Sequence, residues 1–294
     1  MVEILTLGSV SSVALNYVKE CINNASRAFD LDVRGLRVIV VESRERLSEL
    51  LDEALRGTGL ALQPLSSASH YYIAGRPTIM IIASELYEKG EAIVRGELLI
   101  ALAHAKLHGS EEYYVIRVPP TLRRLIEYGA PERLAMAVLY LVASGVKGYE
   151  ATKFVVEKGY LSEMEELYKF HLRITPEERA SWIMAEGDLR AQALLALNAF
   201  KALANALPVY SSSTDSELRE LFEENLGMIP PDLRLKVEKA LFDALSREPQ
   251  ETFERIASCL EALEEILYDC TPPCCEAVQR DGLTTCAPHY RLHR

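Results

Sequence analysis

His104 and His108 stand four residues apart in the stretch Gly96-Glu97-Leu98-Leu99-Ile100-Ala101-Leu102-Ala103-His104-Ala105-Lys106-Leu107-His108-Gly109-Ser110. On a helix that spacing puts two imidazoles one turn apart on the same face, where both can reach one metal ion. Zinc held in this way polarises a bound water, and hydrolysis then needs a carboxylate close by to take the proton. No glutamate stands beside either histidine. Glu97 is seven residues before His104, about 10 Å away along a helix axis, and Glu111 and Glu112 lie beyond Gly109. The pattern leaves metal binding open, with His70 or Glu112 as a third ligand, and argues against hydrolysis.

A second constellation closes the chain. Cys270, Cys274, Cys275, Cys286 and His289 crowd into residues 270–289. Cys270, Cys274, Cys286 and His289 have the residue types of a three-cysteine, one-histidine zinc site, and Pro272, Pro273 and Gly282 supply turns. Six cysteines are also an even number, so a disulfide clamp that draws in Cys259 is a second reading, and unpaired thiols are a third. Weaker candidates add little. Ser66, Ser67 and Ser69 near His70 lack the Gly-x-Ser-x-Gly elbow of a nucleophile. No phosphate loop or Gly-x-Gly-x-x-Gly fingerprint is present, which leaves ATP and dinucleotide chemistry without a motif. Trp182 and Cys21 read as core residues.

The elements that must position the histidines fall into two kinds. Residues 11–29 carry apolar side chains at helical spacing, 36–41 form a β-branched run, and Ser43 caps a helix over 43–55. Residues 57–69 read as a loop. Strands are expected over 70–74 and 78–82, joined by Gly75-Arg76-Pro77 as a hairpin. A helix over 88–107 then carries His104, and 113–118 is expected as another short strand. Pro119-Pro120 marks a boundary. From 122 to 268 the periodicity is helical. Capping signals stand at Ser162 with Glu165, Thr175 with Glu178, and Thr214 with Glu217. The helix opened by Thr175 is expected to reach residue 207, with Gly187 as a weak point, and 249–268 is expected as the last helix.

In this order of elements the histidine segment resembles the zincin-type metallopeptidases, in a minimal archaeal-like form whose helix reads His-Glu-x-x-His-x-x-Leu-His-Gly. In that register Ile100 stands for the first zinc histidine, Ala101 for the catalytic glutamate, His104 for the second ligand, and His108 is an additional histidine. A second register puts His104 and His108 at the two ligand positions with Ala105 in place of the base. Both remove the base. The resemblance covers residues 30–118 and implies a zincin-like fold with a degenerate catalytic motif.

Composition bounds the rest. The chain has 294 residues and a formal charge of −11, with 15 Asp and Glu against 6 Lys and Arg between Tyr210 and Cys270. Such a balance argues against nucleic-acid binding, which needs clustered Lys and Arg. No apolar run approaches the ~20 residues of a membrane span, and the N-terminus lacks a basic, then apolar, leader. A cytoplasmic location without membrane partners is therefore expected. Arginine outnumbers lysine 22 to 10 and amides are few, which points toward a thermophilic source.

The sequence thus predicts an α+β fold: a small zincin-like domain over 1–118, an all-helical domain over 119–268 and a cysteine-rich tail over 269–294. The expected function is that of a catalytically inactive metallopeptidase-like protein, acting as a structural or interaction module. A protein or peptide partner would add along the strand 78–82, taken as the sheet edge. The alternative is a zinc-dependent hydrolase using His104 and His108 with a non-standard base. Zinc is the one cofactor in view.

Overall fold

Four short strands and the helices Ser12–Ala28 (α1), Arg44–Ala54 (α2) and Glu91–Leu107 (α4) build the first part of the protein, in a computed structural model that describes residues 2–54, 66–114, 116–248 and 250–269. The strands are Glu3–Leu7 (β1), Arg37–Val41 (β2), Ala68–Ile73 (β3) and Arg76–Ile82 (β4), with the short helix Glu85–Glu88 (α3) following β4. They form one sheet in the order β1-β2-β4-β3, parallel across β1, β2 and β4 and antiparallel between β4 and β3. Alternation along the strands separates two faces. Val38, Val40, Ile79 and Ile81 turn toward the main core with α1 and α4, while Val41, Met80 and Ile82 turn toward Leu47 and Leu51 of α2.

Helices fill the remainder: Pro120–Glu127 (α5), Glu132–Glu157 (α6), Leu161–His171 (α7), Pro176–Met184 (α8), Leu189–Ser212 (α9), Ser216–Met228 (α10), Pro231–Lys239 (α11), Thr252–Ala262 (α12) and Glu264–Asp269 (α13). The π-helical turn Ala240–Leu245 lies between α11 and α12. The fold is α+β, with the sheet N-terminal and the helices after it. α4 is apolar on nearly every side because it lies between the sheet and the pair α6 and α7, the condition in which an all-round apolar helix is stable. One buried cluster runs from Ala14 through α4 to Leu267, continuous across the Pro119-Pro120 junction. α9 is long and apolar enough to cross a membrane, and more than half of that apolar window is buried within the protein.

Local signals act as chemistry requires. Thr175 and Glu178 form a reciprocal capping box, Thr175 N to the Glu178 carboxylate at 2.7 Å and Glu178 N to the Thr175 hydroxyl at 3.2 Å. The β3–β4 turn sets Ala74 and Gly75 at φ 51 and 77°, the left-handed pair that a tight hairpin of this hand needs.

Several expectations need correction. The strand at 78–82 is not an edge: β4 is paired on both sides, and the edges are β3 and β1. The apolar run of β4, Ile79-Met80-Ile81-Ile82 after the buried Thr78, suits a strand covered on both faces. The described residues of 113–118 form no strand; Glu111–Tyr113 is a 3₁₀ turn, which turns Tyr113 and Tyr114 back onto the histidines. The helix from Thr175 breaks at Gly187, where φ is 82°, and α9 restarts on Asp188 as its cap. α7 begins at Leu161, with Tyr160 rather than Ser162 at its cap position, and Glu165 accepts from Ser213. Asp215 rather than Thr214 caps α10, and the last expected helix is two, α12 and α13. β1 was not expected from the sequence.

Candidate functional site

The C-terminal end of α4 brings three histidines together. The ring of His104 lies nearly parallel to that of His70 on β3, with centroids 6.2 Å apart and planes at 14°. One turn on, His108 leans toward His104, and their Nδ1 atoms are 3.1 Å apart. The Nε2 of His108 is 2.9 Å from Glu150 Oε2 on α6. With Nε2–H donating to the carboxylate, His108 Nδ1 carries a lone pair and accepts from His104 Nδ1–H. These tautomers follow from the hydrogen-bond network.

Glu150 is engaged on both oxygens. Its Oε2 also accepts from the Thr252 hydroxyl at 2.8 Å, and its Oε1 accepts from Arg255 at 2.5 Å. Arg255 is 4% exposed and donates to the carbonyls of Leu245, at 2.9 Å, and Arg247, at 3.3 Å, where the π-helical turn ends. A π turn leaves carbonyls without their usual partners, and the guanidinium supplies them. Burial pushes the Glu150 carboxyl up. The hydrogen bonds from His108 and Thr252, with the Arg255 charge, outweigh it and hold the group below the usual carboxylate value.

On the other flank, Tyr114 Oη lies 2.5 Å from His70 Nδ1, and the Tyr114 ring stacks on Tyr72 at 5.6 Å. The Lys147 ammonium sits 5.2 Å over the Tyr114 ring and donates to the Tyr113 carbonyl at 3.1 Å. Tyr113 meets His108 edge-on and stacks on Phe253. Burial drives the imidazole of His70 down to about 3, helped by His108 and Lys147. Burial likewise holds His104 well below its ordinary value, with the neighbouring histidines and Lys147 adding to it. Both rings are neutral at physiological pH. His70 Nε2 is buried with no hydrogen-bond partner.

His104 and His108 are in the site, and His70 joins them. Glu112 does not, being exposed and bonded to Ser110. Ile100 and Ala101, which the resemblance expects at the positions of a ligand and a base, have side chains that can do neither, and Ala101 is buried in the core. Among the described residues no three His, Cys, Asp or Glu side chains are already set around one point as a metal shell. Cys270, Cys274, Cys275, Cys286 and His289 lie outside the described residues, and so does any pairing of Cys259 with them. Cys259 itself is buried, and burial first, then Glu150, pushes its thiol up to about 12 against the opposing pull of Arg255. Cys21 is only half-buried, on the wall of a cavity of about 240 Å³ between α1 and α4. Trp182 is partly buried against the core. The loop serines are not nucleophiles poised on a histidine: Ser66 and Ser69 bond each other, and Ser67 bonds buried carboxylates.

Glu150, Arg255, Thr252, Lys147 and Tyr114 are the site residues missed in the sequence. Glu150 and Lys147 had a signal, as isolated charges in the apolar run of α6. Arg255, 105 positions from Glu150, had none.

Those Ser67 carboxylates belong to a separate cluster near the start of α4. Glu97 accepts from Ser67 N at 2.5 Å and lies 3.4 Å from His171 and 3.6 Å from Lys89, while Glu85 takes Ser67 Oγ and Lys89. Burial raises the Glu97 carboxyl, but the His171 and Ser67 hydrogen bonds and the Lys89 charge hold it below its usual value. A depressed carboxylate stabilises the fold above its unfolded-state pKa and loses that contribution as pH falls through the folded-state value. Glu97→Gln is therefore expected to cost ~1–3 kcal/mol at pH 7, and progressively less below pH 4. Urea unfolding at both pH values checks this, and an equal cost at each would refute it.

In comparisons with known proteins, no family model, no curated protein and no solved structure matches the chain.

Proposed function

We propose that this protein is a zincin-like metallopeptidase relative that does not cleave peptides and binds an extended peptide along β3. One observation carries the loss of hydrolysis. The register position of the base is Ala101, in the core, and the carboxylate that does touch the histidines, Glu150, is bound on both oxygens by His108, Thr252 and Arg255. A base must be able to receive a proton from water at the metal, and Glu150 is locked to its neighbours instead. The antiparallel edge strand immediately before β4 and the histidine helix supports the family reading.

The binding mode follows from the ladder. Ile82 N donates to Ser67 O at 2.7 Å, so Ser67 faces β4 in a hydrogen-bonded pair. By antiparallel alternation Ser69 and Tyr71 do the same. The backbone N–H and C=O of His70 and Tyr72 therefore point to the open edge, and among the described residues β3 has no second strand partner. A peptide strand can take those groups, with the Tyr72–Tyr114 stack as an aromatic platform for one of its apolar side chains.

Two measurements test this reading. A broad fluorogenic peptide pool with added zinc is expected to show no turnover above that of His104→Ala; zinc-dependent turnover that His104→Ala removes would establish the hydrolase reading instead. Peptides selected by display on the intact protein are expected to lose about tenfold or more in affinity with Tyr72→Pro, which removes an outward N–H but no β3–β4 bond. Unchanged affinity would exclude strand addition.

A further inference from the structure

The histidine cluster can hold something other than a shared proton. We infer that His104, His108 and His70 form a binding site for one zinc-type transition-metal ion, a donor set displaced one turn along α4 from the family register and completed from the edge strand. This inference stands whether or not a peptide docks on β3.

Three features of the cluster support it. The first is spacing. Two nitrogens bound to one tetrahedral ion at the usual Zn–N distance are roughly 3.3 Å apart, and the two Nδ1 atoms are already at 3.1 Å. The second is orientation. Histidine ligands characteristically give their other ring nitrogen to a carboxylate, and His108 gives its Nε2 to Glu150, itself fixed by Arg255 and Thr252. The third is an unused donor. His70 Nε2 is buried without a partner on a ring stacked over His104. A buried nitrogen left unsatisfied costs stability, and a metal ion beside it removes that cost. His70 is not yet aimed at the same point as the other two, so it must turn to close the set.

Protons balance without a net release. In the empty site His104 donates its Nδ1–H to His108. On binding, that proton moves to His104 Nε2 through water, and both Nδ1 lone pairs face the ion. His70 binds through Nε2 and keeps its proton on Nδ1, where it donates to Tyr114 Oη. Tyr114 is thus a positioning residue. Ile100 and Ala101 leave the ion with no base beside it, so its role is to clasp β3 to the end of α4.

The test uses the full chain with Cys270, Cys274, Cys275 and Cys286 changed to serine, so that the tail thiolates cannot bind metal, stripped with chelator and titrated with cobalt(II). One equivalent is expected to bind, with the visible band of a nitrogen-ligated ion and no sulfur charge-transfer band, and the metal is expected to raise Tm. His104→Ala and His108→Ala should abolish the band. His70→Gln should weaken binding by about 100-fold or more, and Tyr114→Phe by about tenfold. If the alanine variants unfold, the Tm rise in the parent protein and its loss in His70→Gln still decide the matter. Absence of binding to the parent, or retention of the band by folded His104→Ala, overturns the inference.

Discussion

Arg255→Ala is expected to destabilise the protein by about 3–5 kcal/mol, the cost of removing one partner from a buried ion pair. The side chain is 4% exposed, and its loss strips Glu150 Oε1 of its ion pair and leaves the Leu245 and Arg247 carbonyls without their donor. Glu150→Ala should also be damaging, since the buried guanidinium would keep only the half-exposed carboxylate of Glu248, 3.1 Å away. The double change Glu150→Leu with Arg255→Met should cost much less than the sum of the single changes, because a pair replaced by apolar side chains leaves no buried charge behind. Urea unfolding of the four proteins measures the coupling. Additive losses would mean that the two residues act independently and that the network is not what fixes His108.

The pH dependence has a definite sign. Glu150 is held below its ordinary value, so its stabilisation is complete above the unfolded-state carboxylate pKa and is lost as pH falls through the folded-state value. The gap between the parent protein and Glu150→Gln should therefore narrow at acid pH.

This network also shows where sequence reading stops. The helices were legible because their signals are local: a capping threonine, a glutamate three residues later, apolar side chains at helical spacing. The α+β order and the histidine helix followed from the same signals. The edge and the interior of the sheet were exchanged, although the difference was written in the strands themselves. Ala68-Ser69-His70-Tyr71-Tyr72-Ile73 mixes polar and apolar residues as a half-covered edge does, whereas Ile79-Met80-Ile81-Ile82 is apolar throughout. β1 was hidden because Glu-Ile-Leu-Thr-Leu is short and mixed in polarity, and its five residues pair on one side only. His70 was legible as a third partner of the helix pair. The Glu150–Arg255 anchor was not, because it depends on how α6 and α12 pack, and no local pattern encodes a contact across 105 positions.

Gly148→Leu is expected to cost about 2–3 kcal/mol through overpacking of the α6–α9 interface. A Cβ built at Gly148 would lie 1.9 Å from a terminal atom of the Asn205 amide and 2.5 Å from Asn205 Cγ, so the glycine is the notch that receives this side chain. One turn earlier, a Cβ at Gly145 would meet the Phe200 ring at 3.1 Å and the Lys201 backbone at 3.2 Å. Two glycines three apart thus let α6 and α9 approach closely around Phe200, which is fully buried. With its amide oriented to satisfy both partners, Asn205 donates to the Gly145 carbonyl at 3.3 Å and the Lys201 carbonyl at 3.2 Å. Asn205→Ala removes those bonds and opens the notch, at roughly 1–2 kcal/mol. The double variant Gly148→Leu with Asn205→Ala should then be more stable than Gly148→Leu alone, because the leucine enters space the asparagine has vacated. Chemical unfolding of the three variants checks the order, and a double variant less stable than Gly148→Leu would show that the helix backbones, not Asn205, set the limit. Glu150 lies on the same helix two residues beyond Gly148, so a shift of α6 also moves the carboxylate that orients His108. Gly148→Leu should therefore weaken cobalt binding as well as stability, and Asn205→Ala should restore both together.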